Sequence, residues 1–169
     1  MRTAIEGGAV GTGRGEIAIE LRRRFRASPD RVFRAWTEPS ALREWWSPPG
    51  WTAGKIEIDL RPGGAYRIEM SRSGGDDRVG VCGEFLEVAP PRRLVYTWTW
   101  ESAFAGMAPT LVTVEFESVP DGTLVILRHE KFVDLGLRHQ HRTGWIAACN
   151  RLDQMMTPTG ELYRHLGKR

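Results

Sequence analysis

The chain has 169 residues, of which 41% are hydrophobic and 27% charged, and no apolar run approaches the roughly 18 residues that span a bilayer. The net charge of +3 comes from interleaved acidic and basic residues, and no nucleic-acid-binding motif accompanies the basic run at residues 22–26. Cys82 and Cys149 are far apart and form no Cys-x-x-Cys pair, which predicts reduced thiols and argues against a disulfide or a zinc site. We therefore expect neither a membrane nor a nucleic acid as partner.

The first predicted elements are a leader, a strand and two short helices. Residues 1–15 are glycine-rich and lack the apolar stretch of a secretory signal, which predicts a flexible leader and a cytoplasmic location. Residues 16–26 alternate apolar and polar side chains, as a half-buried strand does. Ser28 and Pro29 are typical of a helix start, and a second short helix is expected to end at Trp46.

Six further strands are predicted between residues 52 and about 130. Side chains alternate in "KIEIDL", "AYRIEM", "VGVCGEFLEVA", "LVYTWTW", "TLVTVEFES" and "TLVILRHE", which are separated by short turns. Such an order predicts an antiparallel, strongly curved sheet. Residues 135–156 then carry apolar side chains at steps of three and four, which predicts a long helix over the sheet, with a break near Pro158. We expect one domain over residues 16–166.

Five stretches resemble one protein family, in the order in which that family has them. They are "SPDRVFRAWTEPSALREWWSP" (28–48), "RPGGAYRIEM" (61–70), "GEFLEVAPPRRLVYTW" (83–98), "GTLVILRHEKF" (122–132) and "HRTGWIAACNRLDQM" (141–155). On these stretches the chain resembles the START-like (SRPBCC) superfamily and, within it, the group named for homology to the activator of the heat-shock-protein ATPase. The leader and the tail around Pro158 depart from the family's pattern.

The resemblance implies an α+β helix-grip fold of the START and birch-allergen kind. In this fold a curved seven-stranded antiparallel sheet surrounds a long C-terminal helix, and two short helices follow the first strand. The resemblance also implies a cavity between sheet and helix, which in the superfamily often takes apolar or aromatic small molecules. It does not imply one reaction, because members include cyclases, hydrolase-like enzymes and carriers.

Candidate ligand-binding residues are those that periodicity or the resemblance assigns to the inward side. They are Trp45, Trp46, Tyr66, Trp98, Trp100, His129, Trp145 and Cys149. Aromatic side chains offer a large apolar surface to a planar guest, although dense core packing explains them equally well. The stretch "LREWWSPPGW" (42–51) is either a gate to the cavity or a packed corner. Gly144 predicts a close approach of the helix backbone to the sheet.

No catalytic set, metal site or cofactor follows from the sequence. His129 shares a strand face with apolar residues, so it is either a hydrogen-bonded core residue or a catalytic or ligand-orienting group, and Glu69 and Glu84 are candidate general bases. His139 and His141 do not face each other on a helix, and no carboxylate or cysteine completes a metal site. Phosphate-binding and dinucleotide-binding motifs are absent from the sequence, so we expect no cofactor.

The favoured function is that of a cytoplasmic binding protein for an apolar or aromatic small molecule, in a role linked to stress or regulation. The alternatives are a cyclase- or hydrolase-like enzyme and a co-chaperone of a heat-shock ATPase. The lack of an acid, base and nucleophile set favours binding over catalysis. The co-chaperone is less favoured because the eukaryotic activators carry an additional N-terminal domain. We also predict a homodimer, from surplus aromatic surface at Trp36, Trp51 and Phe104.

Overall fold

A computed structural model describes residues 17–101 and 106–157 of the chain. Its elements are, in chain order, β1 (Ile19–Phe25), α1 (Pro29–Thr37), α2 (Pro39–Trp45), β2 (Trp51–Ile58), β3 (Ala65–Arg72), β4 (Arg78–Ala89), β5 (Arg93–Trp100), β6 (Thr110–Val119), β7 (Gly122–Glu130) and α3 (Leu135–Met156). The strands and helices of the described part occur in the order that the sequence predicts.

The strands form one seven-stranded antiparallel sheet in the order β1-β7-β6-β5-β4-β3-β2. The pairing register shifts between Ala53 and Ile56 in β2 and between Phe85 and Glu87 in β4, and such bulges bend a strand and increase its twist. A Cβ at Gly83 would lie 2.0 Å from the carbonyl oxygen of Thr97, so glycine lets β4 approach β5 closely. The sheet is curved around α3, and the predicted helix-grip fold is confirmed.

The concave face of the sheet carries the core. Alternate residues of β7, from Thr123 to His129, are buried, as the period of two in the sequence predicts. From the other side, α3 buries Trp145, Ala148, Cys149, Leu152 and Met156. Arg31 of α1 donates hydrogen bonds to the carbonyl oxygens of Met156 (3.3 Å) and Met155 (3.4 Å), carbonyls that a helix end leaves without intrahelical donors.

Trp45 of α2 connects the two short helices through its contacts with α1. Its indole N–H donates to the carbonyl oxygen of Ala35 at 2.9 Å, and its ring centroid lies 4.6 Å from that of Trp36. Both indoles are buried, with exposed fractions of 0% for Trp45 and 4% for Trp36. The aromatic surface at Trp36 that motivated the predicted homodimer is therefore not available. Phe104 lies outside the described residues, and the dimer stays a prediction.

The predicted bounds of the C-terminal helix agree with those of α3. Asp134 caps its start, because its Oδ1 accepts a hydrogen bond from the Leu137 backbone N–H at 2.7 Å. The helix ends at Met156, and Thr157 has extended backbone, as the residue before a proline prefers. The predicted leader, the Pro158 break and the limits of the domain lie outside the described residues. Within the described part, no helix is long and apolar enough to cross a bilayer.

We expect Asp134→Ala to lower the free energy of unfolding by about 1 kcal/mol, because it removes the side-chain acceptor and the negative charge at the start of α3. Asp134→Asn keeps an acceptor oxygen and should lose less. Urea denaturation followed by circular dichroism measures both losses. Equal losses in the two variants would contradict a stabilising cap.

Candidate ligand-binding site

A cavity of about 370 Å³ lies between the concave face of the sheet and the N-terminal half of α3. The segment after α2 contributes Trp46, Pro48, Pro49 and Trp51, the sheet contributes Met70, Val79, Trp98, Trp100 and Glu101, and α3 contributes Leu137, Gln140, His141, Thr143, Gly144, Trp145 and Ala148. Five of the seven tryptophans of the chain are therefore in its wall.

Trp98 lies at the centre of the aromatic wall. Its ring centroid is 5.3 Å from that of Trp46, 5.6 Å from that of Trp145 and 5.8 Å from that of Trp100. The planes of these rings are inclined to that of Trp98 by 34°, 57° and 70°. Because the planes differ, the indoles do not form one stack and instead bound the cavity from several directions.

The structure brings four of the eight candidate residues to this cavity, namely Trp46, Trp98, Trp100 and Trp145. The other four, Trp45, Tyr66, His129 and Cys149, are not in its lining. Trp45 packs between the two short helices, as described above. Of the two adjacent tryptophans in the stretch 42–51, Trp45 is thus core and Trp46 is cavity wall, which consecutive helical residues about 100° apart permit.

Tyr66 lies on the inward face of β3, as predicted, but too near the start of the strand to reach the cavity. It borders a separate void of about 20 Å³, and its hydroxyl donates to the Thr97 carbonyl oxygen at 2.6 Å. Met70 takes the corresponding place in the cavity wall, four residues or about 13 Å further along β3. Cys149 is buried one turn beyond Trp145 on α3, and burial raises the pKa of its thiol to about 11.

His129 is fully buried behind the cavity wall and is hydrogen-bonded through both ring nitrogens. Trp145 Nε1 donates to His129 Nδ1 at 3.1 Å, so the imidazole proton is assigned to Nε2, which lies 2.7 Å from Thr110 Oγ1. The Thr110 hydroxyl in turn donates to the Trp98 carbonyl oxygen at 3.3 Å. Burial, with a smaller effect of the nearby His141, lowers the pKa of His129 to about 2. His129 is therefore neutral, and neither nitrogen is free for a substrate.

His141 forms a second bridge between α3 and the sheet, this time at the cavity itself. Trp100 Nε1 donates to His141 Nε2 at 2.9 Å, and His141 Nδ1 lies 2.8 Å from the Leu137 carbonyl oxygen, to which it donates. Burial lowers the pKa of His141, although the bond to Leu137 opposes this effect. The neutral ring is the form that accepts from Trp100. From the sequence we considered a functional role for His141 only as a metal ligand, and its place in the cavity lining was not predicted.

Gly144 also has a place that the sequence did not predict. We expected it to allow close contact between the helix backbone and the sheet, but a Cβ at this position would meet no atom within 4 Å. Gly144 lines the cavity and leaves space there. The expectation of close approach is therefore wrong, because α3 stands away from the sheet at this turn.

The carboxylate of the cavity lining belongs to a partly exposed ion cluster. Arg67 donates to both carboxylate oxygens of Glu101, at 2.8 and 2.9 Å, and also contacts Glu69. A Cβ at Gly80 would lie 2.1 Å from Glu101 Oε2, so glycine makes room for this side chain. The hydrogen bonds from Arg67 lower the pKa of Glu101, which is therefore ionised at neutral pH.

The comparisons with known proteins now identify the family. Residues 26–157 match the family described as activator of Hsp90 ATPase homolog 1-like protein. The chain belongs to this family. The match covers most of the chain and confirms the resemblance found in the five sequence stretches. No curated protein matches the chain.

Several solved structures are similar to this chain over most of its length. A Chromobacterium violaceum protein is 27% identical, with a TM-score of 0.75, and the alignment covers 83% of this chain and 98% of that one. A Silicibacter pomeroyi protein that bears the family's name is 26% identical over 82% and 96% of the two chains, with a TM-score of 0.72. CalU16 from Micromonospora echinospora is 27% identical over 87% and 79%, with a TM-score of 0.62.

We expect acid to destabilise the fold through its buried histidines. The folded pKa of His129, about 2, lies below the unfolded value of about 6.5, so the unfolded chain binds more protons as the pH falls below about 6.5. The free energy of unfolding should therefore decrease between pH 7 and pH 5, with a loss of about 2 kcal/mol from His129 alone. Denaturant unfolding at both pH values measures this loss.

The matched variants for this prediction are His129→Gln and His139→Gln. His129→Gln should reduce the pH dependence of stability even if it lowers stability at every pH, because the buried titrating group is removed. The side chain of His139 is exposed to solvent, so His139→Gln should leave the pH dependence of stability unchanged. A pH dependence that His129→Gln does not reduce would contradict the prediction.

Proposed function

We propose that this protein binds an apolar or aromatic small molecule in the cavity between the sheet and α3. The observation that carries the proposal is a volume of about 370 Å³ with five indoles in its wall. Pockets for small molecules have volumes of roughly 300–1,000 Å³ and are mainly apolar and aromatic. The proposed contacts are four of the predicted residues, Trp46, Trp98, Trp100 and Trp145, joined by Trp51 and Met70.

The hydrogen bonding of two indoles of the wall, those of Trp100 and Trp145, supports an apolar guest. The indole N–H groups of Trp100 and Trp145 already donate to histidine nitrogens of the protein. A guest that lacks polar atoms therefore leaves these buried donors satisfied, and its transfer from water is favoured by about 25 cal/mol for each Å² of apolar surface buried. Gln140 and Thr143 are exposed residues of the lining, which indicates that the cavity opens to solvent beside α3.

The arrangement gives less support to the enzymatic alternative. Both nitrogens of His129 are hydrogen-bonded within the protein, and the ring is behind the wall of the cavity. The carboxylate in the lining, that of Glu101, is held by Arg67. A general base needs a free acceptor within hydrogen-bond reach of the substrate, and neither group offers one in this arrangement. No feature of the described residues favours the co-chaperone alternative.

We expect Gly144→Leu to abolish binding of N-phenyl-1-naphthylamine, a neutral fluorescent aromatic compound. Gly144 lines the cavity, and a Cβ there stands in open space, so the leucine side chain occupies the volume of the guest without displacing protein atoms. Replacement of a glycine inside a helix also stabilises the folded state, by about 0.5–1 kcal/mol when the new residue is alanine. Fluorescence titration measures binding, and thermal unfolding shows that the fold is retained.

Two variants serve as controls for this experiment. Gly144→Ala adds one methyl group and should keep most of the binding, whereas Asn150→Leu adds a leucine to an exposed position of α3 outside the lining and should bind normally. Full binding by Gly144→Leu would show that the compound binds elsewhere. Trp98→Ala is less suitable, because truncation of a buried aromatic residue costs about 3–5 kcal/mol of stability. Native mass spectrometry of protein from its own host then identifies a bound molecule.

A further inference from the structure

The way in which two of its indoles are held contributes to the electrostatic character of the cavity. An aromatic ring has a negative face and a positive edge, and the N–H group is the most positive part of the indole edge. The N–H groups of Trp100 and Trp145 point to nitrogens of His141 and His129, at 2.9 and 3.1 Å. These positive groups are therefore engaged by the protein, and the two rings offer a guest mainly their carbon surface.

The lining of the cavity carries one charged group, and this group is negative. Among the described residues that line the cavity, none is lysine or arginine, and the ionisable ones are Glu101 and His141. His141 is hydrogen-bonded through both nitrogens as the neutral ring. Glu101 is ionised, and its partner Arg67 is not part of the lining. An anionic guest would thus meet a carboxylate whose paired cation, Arg67, lies outside the lining, whereas a cationic guest would meet an opposite charge in the wall.

One tryptophan of the wall already binds a cation of the protein itself. The guanidinium carbon of Arg72 lies 5.6 Å from the centroid of the Trp51 ring, within the range of a cation–π contact. Such contacts become stronger when the cation is removed from water, and tryptophan is the most effective partner for them. The more enclosed indoles of Trp98 and Trp145, which are 7% and 4% exposed, provide such a desolvated environment.

We infer that the cavity selects organic cations, in particular aromatic quaternary ammonium compounds, over neutral and anionic molecules of the same shape. The inference rests on the proposed function, since it names the class of ligand for the same cavity. Quaternary ammonium groups suit this site because they are weakly hydrated and carry no N–H donor that would need an acceptor in an apolar wall. Indole faces and the Glu101 carboxylate together supply the recognition.

Three small compounds test this selectivity by displacement of N-phenyl-1-naphthylamine. They are benzyltrimethylammonium, its neutral carbon isostere neopentylbenzene, and the anion 3-phenylpropionate. Burial of apolar surface alone favours the neutral isostere, so a preference for the cation reports on electrostatic recognition. We expect the cation to displace the fluorescent compound at concentrations about tenfold lower than the isostere, and the anion to be the weakest of the three.

Two carboxylate variants separate the lining from the rest of the ion cluster. Glu101→Gln removes the charge from the lining and should reduce the ratio of cation to isostere affinity by several-fold. Glu69→Gln removes a carboxylate that contacts the same Arg67 but is not in the lining, and it should leave this ratio unchanged. Equal effects of the two variants on the ratio would contradict a role of Glu101 in the cavity.

The outcomes distinguish this inference from the proposed function. Equal or tighter binding of the neutral isostere, or tighter binding of the anion, overturns the selectivity and leaves the cavity as a site for apolar molecules. Failure of all three compounds and of N-phenyl-1-naphthylamine to bind overturns the proposed function, and the selectivity with it.

Discussion

The hydrogen bond from Trp145 Nε1 to His129 Nδ1 sets the position of α3 over the sheet. It joins the middle of the helix to β7, and the His129 ring continues through Thr110 of β6 to the Trp98 carbonyl oxygen of β5. Each donor in this buried chain has an acceptor, which offsets the cost of placing polar groups in the core. This series of hydrogen bonds requires a neutral imidazole. The same contact that holds the helix therefore also makes His129 unsuitable as a base.

The cavity exists because the neighbouring turn of α3 does not fill the space beside this contact. Protein interiors are close-packed, and here Gly144 and Ala148 leave room that larger residues would occupy. The hydrogen bonds of Trp100 to His141 and of Trp145 to His129 connect the helix to the sheet beside this space. Solved structures that are 26–27% identical to this chain share its fold. The chemistry of the cavity therefore has to be argued from the side chains of this chain.

Local patterns in the sequence determined the elements and their inward faces. Alternation along the strands needs only the period of two, so His129 and Trp98 were placed on the buried face correctly. The bounds of the last helix, residues 135–156, follow from its period and from Pro158 after its end. These signals depend on residues within a few positions of each other, and a single sequence contains them completely.

Only the tertiary structure decided which inward residues reach the cavity. Tyr66 and Met70 share one face of β3, yet Met70 borders the cavity whereas Tyr66 borders a small void. Trp45 and Trp46 are equally apolar, but the indole N–H of Trp45 donates to the carbonyl oxygen of Ala35 in α1, whereas Trp46 lines the cavity. Gly144 faces open space instead of the sheet. The periodicity of a strand or helix determines the direction in which a side chain points. Whether that side chain meets an open space depends on the distance between elements that are far apart in the sequence.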